Sequence, residues 1–174
     1  FGGKYKYNLE LTPGPNLFGI PIVIPIAWIM LIYMSHNLFC FLGSFDLNRI
    51  LNNSMDVSII PCIMMVLVDL VLDPIAVDEK RWEWSIRGKY YGVPLLNFFG
   101  WFINCLIIWV LFSYFSITIK TPSNDVEILT YLPGSIFIFI HLAASRPCFE
   151  RNLNFPGFLA IFLSILYTGV LIYK

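Results

Sequence analysis

From Val93 to Ile119 no side chain carries a charge, and aromatic residues recur through the whole stretch. A helix crosses a hydrocarbon core with about 20 predominantly apolar residues, because it satisfies its own backbone hydrogen bonds on the way. Four other stretches come near that description, at residues 17–42, 57–72, 128–144 and 155–173. The expectation is an all-α fold: a polytopic transmembrane helix bundle of about five spans, one transmembrane domain over residues 1–174. Composition argues the same way. Hydrophobic residues make up 58% of the chain and charged residues 13%, with a mean hydropathy of +0.75; soluble domains carry roughly 25% charged residues. One soluble core in a chain of 174 residues does not enclose that much apolar surface. The expected location is integral and multi-pass in the cell membrane.

The edges of these stretches add detail. In Ile20-Pro-Ile-Val-Ile-Pro-Ile26 two prolines remove helix donors, so the first span should begin irregularly. The second should stop at Asp73-Pro74. The opening Phe1-Gly-Gly-Lys-Tyr-Lys-Tyr7 has no short apolar core directly behind its charges and is not a signal peptide. Further sequence is therefore expected upstream of Phe1. Cys40, Cys62, Cys105 and Cys148 are far apart and mostly within apolar runs, which reads as small packing residues rather than a disulfide or zinc framework. A formal net charge of zero offers nothing to nucleic acid.

Lys and Arg give the bundle a direction. Lys4, Lys6, Lys80, Arg81, Arg87, Lys89, Arg146 and Arg151 fall in the segments expected on one side, against Arg49, Lys120 and Lys174 on the other. The richer side, with the 73–92 loop, should be cytoplasmic. On that reading Asp69 is about one helical turn inside the membrane and Asp73 at its edge. Asn97 lies at a similar depth, and His141 within about two turns of Arg146. His36 and Asn37 fall toward the outer face, and His36 reads as structural.

Ionisable groups inside a span are costly, and that makes them candidates for chemistry. Asp69 and Asp73 are four apart and share a helix face. A low-dielectric surrounding favours a neutral carboxylic acid, the form that donates a proton. Asp69 and Asp73 are thus the candidate catalytic pair; the bland alternative is a carboxylate paired with a loop arginine. Trp82, Trp84 and Tyr91 are candidate substrate contacts that could line a slot for a long apolar molecule, or simply form an aromatic belt. Asn97 and His141 complete the candidate substrate-binding set, although a histidine placed like His141 is more often a hydrogen-bond partner between helices. Asp78, Glu79 and Glu83, mixed with basic residues, read as solvated surface. No glycine-rich phosphate loop, H-E-x-x-H or nucleophile elbow is present. No His/Cys cluster has metal-ligand spacing, so no metal and no cofactor is expected.

Two motifs point further. Asp69-Leu-Val-Leu-Asp-Pro-Ile-Ala-Val77, Trp82-x-Trp84 and Tyr90-Tyr-Gly-Val-Pro-Leu-Leu-Asn-Phe-Phe-Gly-Trp101 form one. The other comprises Phe1-Gly-x-x-Tyr-x-Tyr-x-Leu9, Gly14-Pro-x-Leu-Phe-Gly-Ile-Pro21 and Pro25-x-Ala-Trp28. Together they resemble the carotenoid biosynthesis protein family, which includes the CruF-type carotenoid 1,2-hydratases and bisanhydrobacterioruberin hydratase. The resemblance covers most of residues 1–101 and is weak beyond residue 145. It implies cofactor-independent water addition to the terminal carbon–carbon double bond of a linear carotenoid dissolved in the bilayer. It also suggests association with other membrane enzymes of carotenoid synthesis. Protonation leaves a tertiary carbocation that water captures. In this scheme Asp69 donates the proton, Asp73 or Asn97 positions water, and Trp82 or Trp84 faces the cation.

Two other readings compete. Asp69-x-x-x-Asp73 beside Lys80 and Arg81 would suit a membrane prenyltransferase holding a prenyl diphosphate through Mg²⁺. A non-catalytic carotenoid- or lipid-binding membrane protein would use the same polar residues to satisfy one another.

Overall fold

A computed structural model describes residues 5–12, 14–43, 55–114 and 127–172. Among these residues the chain forms five helices: α1 (Val23–Gly43), α2 (Met55–Asp78), α3 (Leu95–Tyr114), α4 (Glu127–Glu150) and α5 (Asn154–Ile172). Short strands accompany them: β1 (Tyr5–Tyr7), β2 (Asn16–Leu17), β3 (Ile20–Pro21) and β4 (Trp82–Trp84). Helix α2 is central and packs against each of the other four. Its buried side chains, among them Met64, Met65, Val68 and Val71, form much of the core. Phe137, Leu163 and Tyr167 of α4 and α5 close it from the other side.

The all-α bundle is as expected, but the count of five crossing spans is not. Among the described residues two helices are long and apolar enough to cross a membrane, Ile59–Asp78 within α2 and Tyr131–Glu150 within α4. The apolar parts of the other three, Val23–Phe39, Leu95–Leu111 and Asn154–Gly169, fall short of that length. The apolar windows in the sequence included residues that the fold spends elsewhere. Asn16–Leu17 pairs with Ile20–Pro21 as a hairpin, so the first helix starts only at Val23. Val93 is drawn into a turn by its bond to the Tyr90 carbonyl, which delays α3 to Leu95. Residues 115–119 of the third expected span lie outside the described residues, as do Lys4, Arg49, Lys120 and Lys174 of the charge comparison. The two long apolar helices associate the protein with a membrane.

Helix α2 also runs through Asp73-Pro74 instead of stopping there, and continues to Asp78. Proline lacks the N–H that would reach the carbonyl four residues back, which leaves the Leu70 oxygen without its helical donor. The Tyr90 hydroxyl donates to that oxygen at 2.9 Å. A side chain from outside the helix thus replaces the missing bond, as is common where prolines sit within membrane helices. Burial holds the Tyr90 phenol well above its ordinary range, so it remains a donor.

Tyr90 is delivered by a tight reversal in which Gly88 bridges Gly92 and Tyr90 bridges Val93. A Cβ on Gly88 would overlap the backbone of Val93 and Pro94, so only glycine fits. At the same end of the bundle Arg151 binds Glu79 at 2.6 Å and Asp78 at 3.5 Å, tying the end of α4 to the end of α2. Strand β1 pairs antiparallel with β4 there, with Tyr5 opposite Trp84 and Tyr7 opposite Trp82. Cys62, Cys105 and Cys148 are buried and unbridged.

Candidate functional site

Asp69 and Asp73 project from one face of α2, one turn apart. Because α2 continues to Asp78, Asp69 is about 13 Å of helix rise from its end, deeper than a stop at Pro74 would place it. Helix α3 packs against α2, and its first turn brings Asn97 to the two carboxylates. Asn97 Nδ2 donates to Asp73 Oδ2 at 2.6 Å and to Asp69 Oδ2 at 3.2 Å. Trp82 Nε1 donates to Asp73 Oδ1 at 2.8 Å. Both oxygens of Asp73 are therefore held by N–H donors. Asp69 has one longer bond, at its Oδ2.

A cavity of about 140 Å³ adjoins this cluster. Asp69, Asp73 and Asn97 supply its polar patch. Aromatic walls come from Trp82 and Trp84 of β4, Tyr7 of β1, and Trp28 with Trp101, which stack face to face between α1 and α3. Leu31 of α1 with Met65 and Val68 of α2 line the apolar remainder. Two carboxyl groups bridged by one amide thus border an aromatic box. Such a box receives an apolar group, and aromatic faces stabilise positive charge that develops near them.

The cluster suits proton transfer better than cation binding. The N–H groups of Asn97 and Trp82 point their positive ends at the carboxylates, where a metal ion would need oxygens. Among the described residues no group of three or more His, Cys, Asp or Glu side chains is arranged to hold a metal.

The sequence candidates divide into two groups in space. Asp69, Asp73, Trp82, Trp84 and Asn97 meet around the cavity. Tyr91 and His141 are elsewhere. Tyr91 is turned outward with φ +48°, packs edge to face on Tyr90, and accepts a long bond from the Phe155 amide. His141 is fully buried, with Nδ1 2.9 Å from the Phe137 carbonyl and its ring against Phe137 and Tyr167. His36 is buried against Trp109. Three aromatic wall residues were not among the candidates: Tyr7, Trp28 and Trp101. Trp28 and Trp101 each close one of the two motifs that carry the family resemblance, the one sequence signal that could have flagged them. Tyr7 stands within the second of these motifs, but it reaches the site through the pairing of β1 with β4.

Residues 1–167 match the protein family described as "Carotenoid biosynthesis protein". A protein of Haloarcula japonica named bisanhydrobacterioruberin hydratase is 32% identical to the chain over 114 residues, 64% of this chain and 36% of that protein. The match thus spans about a third of the length of that curated relative. No solved structure matches the chain.

Proposed function

Since the chain belongs to the carotenoid biosynthesis protein family, we propose that it catalyses CruF-type hydration of the terminal carbon–carbon double bond of a linear carotenoid. The observation that carries this reading is the bridged pair Asp69–Asn97–Asp73 at the edge of an aromatic cavity. The name of the Haloarcula relative, a hydratase, supports water addition as the reaction class.

Asp69 is the acid. Its single long hydrogen bond leaves one oxygen to carry a proton toward the outer alkene carbon. As the C–H bond forms, the π bond breaks and positive charge collects on the neighbouring tertiary carbon, facing the tryptophan walls. A water adds to that carbon and gives up one proton to Asp73, whose carboxylate is held in register by Trp82 and Asn97. The product is a tertiary alcohol. Return of a proton from Asp73 to Asp69, one helical turn away, restores the starting state. Redox chemistry plays no part in this balance.

The substrate reaches the site from the lipid phase. The bundle end that gathers Lys6, Lys80, Arg81, Arg87 and Lys89, between or beside the end of α2 and the start of α3, faces the cytoplasm, where positive residues concentrate. Neighbouring enzymes of carotenoid synthesis are the natural partners, since substrate and product both stay in the bilayer. The prenyltransferase alternative needs Mg²⁺ on oxygens already turned toward N–H donors, and activity that survives EDTA would remove it.

The test is expression of the full-length protein in a lycopene-producing host, with mass analysis of the pigments. The expected result is a gain of one water per modified end, abolished by Asp69→Asn. A well-folded Asp69→Asn protein that hydrates at the normal rate would overturn the assignment.

A further inference from the structure

Beside the aromatic box is a second cavity, of about 390 Å³, lined by Lys6, Tyr7, Leu9, Phe18, Gly19 and Ile20. It lies wholly in the amino-terminal segment, between β1 and the tip of the β2–β3 hairpin. Tyr7 lines both cavities. The ring that separates them is well fixed: Tyr7 faces Trp82 across the β1–β4 ribbon, and the two rings meet edge to face at 5.8 Å.

The hairpin tip is an unusual place for its residues. Phe18 has φ +52° and Gly19 φ +82°. Glycine adopts that backbone freely, but a bulky aromatic residue is strained there. Phe18 is nonetheless 96% exposed, so no internal packing of the ring offsets the strain. Leu9, Leu17 and Ile20 are exposed around it. The segment holds an apolar surface open at a cost in backbone energy, directly beyond the wall of the reaction cavity.

The size of the first cavity bears on this. A space of about 140 Å³ admits the end group of a linear polyene but not its length. The rest of such a molecule must extend out of this space, and the second cavity adjoins it at Tyr7, which lines both. We propose that the second cavity is the subsite for the polyene segment next to the reacting end. The extended chain lies along the hairpin and passes Tyr7 before its terminus meets Asp69. Leu9, Phe18 and Ile20 contact the polyene, and Lys6 contributes its methylene stem while its ammonium stays in the polar layer. This subsite rests on the hydratase reading for the direction in which the substrate lies, but its occupancy is measurable without turnover.

The experiment uses the full-length protein in lipid nanodiscs and two probes. Lycopene spans both cavities; myrcene, a short acyclic terpene with a similar end group, fits the first alone. Binding is read by quenching of tryptophan fluorescence, and hydration is followed separately. The variants are Phe18→Asn and Leu9→Ser. Asparagine tolerates positive φ, so Phe18→Asn relieves strain, and lost binding would not reflect lost folding. Each variant should weaken lycopene binding about tenfold while leaving myrcene binding unchanged. Equal weakening of both probes, no change in either, or a wild-type protein that does not bind lycopene would overturn the subsite. So would weaker attachment of the protein to phosphatidylglycerol vesicles with lycopene affinity intact, which would make the hairpin a bilayer contact. Wild-type protein that binds lycopene with this variant pattern but never hydrates it would sink the hydratase reading and leave the subsite standing.

Discussion

Among the polar side chains buried in this apolar bundle, two groups are built on opposite terms. Around Asp69 and Asp73, N–H donors from α3 and β4 meet the carboxylates, and a cavity opens beside them. Around His141 and Tyr167 the rings of α4 and α5 close on each other, with centroids 5.6 Å apart. There His141 Nε2 and the Tyr167 hydroxyl have no hydrogen-bond partner among the described residues. Polar groups are costly in both places. The difference is what the cost supports. The carboxylates are networked and have room for a reactant, whereas His141 is fully buried with its ring against Phe137 and Tyr167. A titratable group in a membrane helix becomes a candidate site when a hydrogen-bonded network holds it and a cavity adjoins it.

The largest expected effect tests the first region. Asp69→Asn keeps the shape of the side chain and its contact with Asn97 but removes the acid, so hydration should fall at least about a hundredfold. Pigment analysis beside a folding check by size-exclusion chromatography measures this. Normal turnover would erase the contrast between the regions.

Trp82→Phe comes next. It retains an aromatic wall but removes the donor to Asp73 Oδ1, and hydration should drop about tenfold, the scale of one lost hydrogen bond to a charged group. If Trp82→Phe is silent while Asp73→Asn is not, Trp82 serves only as a wall.

Tyr90→Phe should act on stability more than on chemistry. The Leu70 carbonyl would lose the donor that replaces the N–H absent from Pro74, at a cost of about 1 to 3 kcal/mol. Thermal unfolding in detergent should show a lower midpoint. An unchanged midpoint would mean that water takes the place of the phenol.

The smallest effect belongs to the second region. Tyr167→Phe deletes a buried hydroxyl that has no hydrogen-bond partner among the described residues, so stability should stay within about 0.5 kcal/mol of the parent or rise, and hydration should be unchanged. A clear loss of hydration would show that the α4–α5 interior takes part in the reaction after all.

Much of this molecule was legible in the chain itself. Apolar stretches fixed an all-α, membrane-associated bundle, because their length and lack of charge leave few other ways to satisfy a backbone in lipid. The spacing of Asp69 and Asp73 put both carboxylates on one face, because helical geometry is local and periodic. The motifs ending at Trp28 and Trp101 indicated the family.

Tertiary structure decided the rest. Among the described residues two helices are long and apolar enough to cross a membrane, and the hairpin before α1 and the turn before α3 take residues that hydropathy alone counts as helix. Asn97 is a bridge between the carboxylates, not merely a polar residue at a similar depth, because packing of α3 on α2 sets the register between residues distant in sequence. Tyr7 is both a wall and a divider because β1 crosses the chain to pair with β4. Local pattern records what neighbouring residues prefer. Which distant segments meet is set by burial and hydrogen bonding summed over the whole chain, and that is how an aspartate pair visible in the sequence acquired its amide bridge, its tryptophan walls and its cavity.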